Sequence, residues 1–127
     1  HIALFEAVAK RNGWKAHRTC GDYPNVDSVR KGIEDALRAQ DYESQVMFPA
    51  FVRAARRTGD TAATEAFSYA AAVEQVQAEL FRAYLENAQA MPDAYHVCQR
   101  CGIIETSLPA ANCQMCGAPP DKFKEVR

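Results

Sequence analysis

Near its C-terminal end the chain carries the same five-residue pattern twice, as Cys98-Gln-Arg-Cys101-Gly102 and as Cys113-Gln-Met-Cys116-Gly117. The two-residue spacer lets both sulfurs of one pattern reach a single ion. A glycine directly after the second cysteine accepts a positive φ, so that backbone N–H groups can turn toward the thiolates. Four thiolates around one divalent or trivalent ion make a closed tetrahedral site, and disulfides or free thiols account less well for the paired spacing. A segment this short has little apolar core, so the metal must supply much of its folding free energy. Tyr95, three residues before the first cysteine, and Phe123, seven after the last, are candidate roof residues over the ion. The donor set suits zinc as a structural ion and iron as a one-electron carrier, and ligand count does not separate them.

The fifth cysteine, Cys20, stands apart from this cluster. Such a distribution is unlike a secreted disulfide framework and points to a reducing compartment, with the cytoplasm as the expected location. The 127 residues are 48% hydrophobic and 24% charged, with a formal net charge of −1. That balance argues against nucleic acid or a membrane surface as a partner, since both select a basic excess. No apolar run approaches the roughly 18 residues of a membrane span. The chain opens on His1, and residues 1–10 read as helix without a capping residue ahead of them, as the tail of something longer.

After the exit at Asn12-Gly13, residues 13–26 lack helical periodicity and read as a loop. Asp27 and Ser28 are N-cap residues for a helix from Val29 to Arg57, with Pro49 inside it, and apolar periodicity beyond the proline predicts one kinked helix. Thr58-Gly59-Asp60 supplies a stop and a new cap, and an alanine-rich helix from Thr61 to Ala88 returns antiparallel. Ile33, Ala36, Gln40, Glu43, Met47, Ala50 and Ala54 form one inward stripe; Phe67, Ala70, Glu74, Gln77, Phe81 and Tyr84 form the other. Each stripe is apolar except for one polar pair, Gln40 with Glu43 and Glu74 with Gln77. Matched polar pairs on facing helices are how a bundle core holds a metal, although a lone Glu at a stripe's edge simply reaches water.

The cysteine segment, with Tyr95-x-x-Cys98-x-x-Cys101-Gly102, Cys113-x-x-Cys116-Gly117-Ala-Pro and Lys122-Phe123, resembles the rubredoxin-like domain of the rubrerythrin family. The helical part resembles the second half of that family's ferritin-like bundle, through Gly32-Ile33-Glu34, Gln40-x-Tyr42-Glu43-x-x-x-Met47-Phe48-Pro49 and Glu74-x-x-Gln77-Ala78-Glu79-Leu80-Phe81. The fold implied is mainly α: a long antiparallel helix pair, part of a ferritin-like four-helix bundle, over residues 1–90, then a small rubredoxin-like domain over 91–127. The resemblance favours iron over zinc at Cys98, Cys101, Cys113 and Cys116. Members of the family are peroxide-reducing oxidoreductases with a di-iron centre in the bundle, fed with electrons by the rubredoxin-type iron.

Here the family's Glu-x-x-Glu reads Gln40-x-x-Glu43 and its Glu-x-x-His reads Glu74-x-x-Gln77. A neutral amide replaces neither the charge of a carboxylate nor an imidazole nitrogen. Glu43, Glu74, Gln40 and Gln77, with His1 as a possible counterpart of a second-helix histidine, are therefore expected to be remnants of a di-iron site that this chain alone does not complete. The expected function is one-electron transfer, with the helices serving assembly as a homodimer or in a larger complex, and with a redox protein as partner. The alternatives are a peroxide reductase completed by another chain or segment, and a structural zinc-ribbon subunit. His17 with Cys20 reads as loop, His96 beside the metal site as either a residue that tunes its potential or surface, Trp14 as a packing anchor, and the basic group Arg53, Arg56 and Arg57 as a solvated helix end.

Overall fold

The structure, a computed structural model, describes residues 2–15 and 27–127; His1, His17 and Cys20 lie outside them. The first helix, α1 (Ile2–Arg11), ends at Asn12-Gly13 as its sequence requires. The second, α2 (Val29–Tyr42), starts at Ser28, whose side chain accepts a hydrogen bond from the Lys31 N–H at 3.2 Å. Helical structure continues to Arg57, but the interruption expected at Pro49 takes a different form. A π turn over Glu43–Met47 joins α2 to α3 (Phe48–Arg57), and the Phe48 N–H reaches back five residues to the Glu43 carbonyl. Pro49 has no N–H to give, and its ring crowds the carbonyl four residues earlier; one wider turn just ahead absorbs the mismatch.

The turn Thr58-Gly59-Asp60 leads into α4 (Thr61–Glu86), with the Asp60 carboxylate accepting from the Ala63 N–H at 2.9 Å. Asp60 also accepts from the Asn12 side chain at 3.2 Å, which ties the end of α1 to this turn. Alanines at 63, 66, 70 and 78 are buried along α4 and let it lie close against α2, the π turn and α3. Arg30 donates to the Leu85 carbonyl and Arg82 pairs with Asp41, so the far ends of the antiparallel pair are also fastened. At the turn end, Phe5, Phe48, Phe51 and Phe67 form an aromatic cluster with ring centroids 5.3–6.5 Å apart.

After α4 come three short antiparallel strands, β1 (Tyr95–Cys98), β2 (Ile104–Glu105) and β3 (Phe123–Val126), in the order β2-β1-β3. The sheet is too small to bury a core of its own. It rests against the outer face of α4: Val73, only 1% exposed, forms one cluster with Cys98, Cys101, Ile103, Cys113 and Ala118. Val73 lies off the two inward stripes, and the folded chain covers it from within. The chain is thus mostly helical with a small three-stranded sheet, and α4 is the wall shared by both parts.

Candidate metal centre

The two C-x-x-C-G segments fold as near copies of one another. In the first, the Gly102 N–H bonds to the Cys98 carbonyl at 2.8 Å and the Cys98 N–H to the Ile103 carbonyl at 3.0 Å. In the second, the Gly117 N–H bonds to the Cys113 carbonyl at 2.8 Å and the Cys113 N–H to the Ala118 carbonyl at 2.7 Å. Gly102 and Gly117 close these loops at φ 87° and 71°, a conformation a β-carbon penalises. Both loops then offer N–H groups to sulfur: those of Cys101 and Arg100 to Cys98, that of Ile103 to Cys101 and that of Ala118 to Cys116.

All four Sγ atoms lie within 4.8 Å of one another, and the pairs Cys98–Cys116 and Cys101–Cys113 are 3.7 Å apart. An ion with metal–sulfur bonds of about 2.3 Å and tetrahedral angles needs sulfurs about 3.8 Å apart. Those separations fit a mononuclear tetrathiolate and exceed by far the about 2.0 Å of a disulfide. Cys98, Cys101 and Cys113 are buried and Cys116 is half-buried. Burial pushes the Cys101 and Cys116 thiols up. At Cys98 burial also raises, but the N–H groups of Cys101 and Arg100, with the neighbouring sulfurs, outweigh it and hold the thiol below its ordinary value. Four crowded sulfurs cannot all carry charge unless a cation balances them.

The cover over the sulfurs comes largely from α4. Phe123 packs on the cluster as expected, joined by Tyr69, Val73, Val76 and Met115. The short-range pattern gave no sign of the α4 residues, because their contribution depends on where a distant helix docks. Tyr69 donates a 2.5 Å hydrogen bond to Glu65 Oε1, which is the main cause of its phenol being pushed up to about 12. His96 sits in β1 opposite Glu125 of β3, with Nε2 3.9 Å from that carboxylate.

The polar residues of the helical stripes also come together. Glu74 is 5% exposed, the one buried charged side chain among the described residues. Burial raises its pKa; burial and the nearby Glu74 charge raise that of Glu43. Gln40 and Gln77 are half-buried, and Gln40 Oε1 is buried with no hydrogen-bond partner. A di-iron centre needs carboxylates and imidazoles where these amides stand, so the residues present do not fit one. Among the described residues, the four cysteines are the one group of three or more Cys, His, Asp or Glu drawn close enough to hold an ion.

No protein-family model matches the chain. Nigerythrin of Nitratidesulfovibrio vulgaris is 31% identical over 101 residues, which make up 79% of this chain and 50% of that protein. Rubrerythrin-2 of Clostridium acetobutylicum is 26% identical over 96 residues, 72% of this chain and 52% of that protein. The chain spans about half the length of the curated relatives it matches. Solved structures of nigerythrin in a fully reduced, all-ferrous state and in a partially reduced state superpose with a TM-score of 0.85 at 28% identity, covering 99% of this chain and 63% of theirs. Fold and cysteine geometry therefore agree with the same set of proteins.

Proposed function

Because the chain belongs to the rubrerythrin family, we propose that it is a one-electron carrier with a single iron ligated by Cys98, Cys101, Cys113 and Cys116. Bound there, the iron supplies exchange between ferric and ferrous states. The observation that carries this reading is the set of sulfur separations, with pairs at 3.7 Å matched to one tetrahedral ion. The two glycine-closed loops aim N–H groups at sulfur, which lowers the energy of the thiolates and orients them before an ion arrives. Val73, Met115 and Phe123 pack on the cysteine cluster and limit its contact with water, so the site reorganises little solvent when its charge changes.

In this proposal residues 1–90 form the helical domain and 91–127 the metal domain. The helical domain serves assembly with a second copy or a different subunit: Tyr42, Val46 and Phe51 are 58%, 53% and 42% exposed on the α2–π turn–α3 segment. A redox protein is the expected partner and the cytoplasm the expected location. Among the described residues no helix is long and apolar enough to cross a membrane. Peroxide reduction is not assigned to the bundle residues, given the amides at positions 40 and 77 and the unsatisfied Gln40 oxygen.

Purification in air with elemental analysis and a visible spectrum tests the assignment. One iron per chain and a red colour bleached by dithionite and restored by air are expected. One zinc per chain and a colourless protein would instead establish the structural zinc alternative.

A further inference from the structure

The four cysteine residues are not equally exposed. Cys98, Cys101 and Cys113 are 1%, 1% and 5% exposed, whereas Cys116 is half-buried. Solvent, and any protein that exchanges electrons, therefore meets the centre most directly on the Cys116 side. Among the α4 side chains packed on the same cluster as Cys116 is Tyr69. It packs on the cysteine cluster, and the Cys116 sulfur and the Arg100 guanidinium both lie within electrostatic reach of its phenol. Its hydroxyl is held by Glu65 Oε1 at 2.5 Å, one helical turn back. The ring also helps line a cleft with Leu4, Ala7 and Val8 of α1. It is thus held at its hydroxyl by Glu65 and by its packing on the cysteine cluster.

A fixed aromatic plate beside the least covered ligand of a tetrathiolate has a definite electrostatic consequence. Reduction adds one negative charge to a site that is already anionic. An apolar neighbour solvates that added charge less well than water does, so cover disfavours the reduced form. We infer that Tyr69 is a positioning residue for the metal centre, and that its ring, packed on the cysteine cluster, sets the reduction potential and the solvent access of the site at Cys116. The inference rests on the reading of the four thiols as an electron-transfer iron site. Its material content, cover over Cys116, applies to any ion held there.

The test uses the full chain with Tyr69→Ala, Tyr69→Phe and Glu65→Gln. Two quantities are read: the midpoint potential of the iron-loaded protein by spectroelectrochemistry, and the rate at which a chromophoric chelator removes zinc from the zinc-loaded protein. Tyr69→Ala is expected to raise the potential and to speed zinc removal several-fold. Tyr69→Phe keeps the ring and is expected to stay near the parent in both. Glu65→Gln, which still offers the phenol an acceptor, should leave the chelation rate near that of the parent. Unchanged potential and chelation rate in Tyr69→Ala would overturn the inference, as would a shift in Tyr69→Phe as large as in Tyr69→Ala. Should the alanine variant fold poorly, as judged by lost helicity, Tyr69→Leu takes its place under the same criteria. A protein that takes up no iron defeats the electron-transfer reading alone, because the zinc arm still decides whether Tyr69 covers the site.

Discussion

At the scale of single residues, the metal loops depend on backbone conformation as much as on sulfur. Gly117 has open space where a β-carbon would stand, yet its φ is 71°, so a side chain there meets torsional strain and not a neighbour. Gly117→Ala should destabilise the loaded small domain by about 1 to 2 kcal/mol, the cost of a left-handed conformation for an L-residue. Thermal melting and the rate of metal loss to a chelator check this. The effect should be absent with the metal removed, since the loop then has no geometry to keep. The gathering of the four cysteines was legible in the sequence, because two cysteines two residues apart already share one side of a turn. Tyr69 and Val73 were not legible as cover. Each lies more than twenty residues before Cys98 on a helix whose periodicity marks only one of its two buried faces.

At the scale of elements, the helix pair carries its burden of polarity at one level. Glu43, at the start of the π turn, and Glu74, in the middle of α4, repel each other across the pair, and burial adds to the penalty of ionising both. Carboxyls whose folded pKa lies above the ordinary 4.5 bind a proton more tightly in the native state than when unfolded. Their contribution to stability is full below 4.5 and is lost as pH rises through the raised folded values. Glu43→Gln should therefore stabilise the chain at neutral pH and flatten the loss of stability above 4.5, as read by urea unfolding across a pH series. The polar level itself was readable from the spacing of Gln40, Glu43, Glu74 and Gln77. The π turn was not, because a proline announces a missing donor without saying how the helix will absorb it.

At the scale of the whole molecule, α4 has two partners. Its inner face meets α2 and α3, and another face, which carries Val73, meets the cysteine loops. The order of the parts followed from sequence, while their mutual packing did not, since no local pattern says which surface a small metal-bearing unit will rest on. That packing gives the ion a second office beyond any electron it carries. While the loops are shaped by a metal, Tyr69, Val73 and Val76 are shielded. When the metal is withdrawn the loops lose their scaffold and an oily strip on an otherwise intact helix is uncovered. Stripping the ion under reducing conditions should leave the helical circular-dichroism signal largely in place while binding of a hydrophobic dye and light scattering both rise. A chain made during metal scarcity would then be marked by its own stickiness, recognisable to chaperones and proteases before it is ever asked to work.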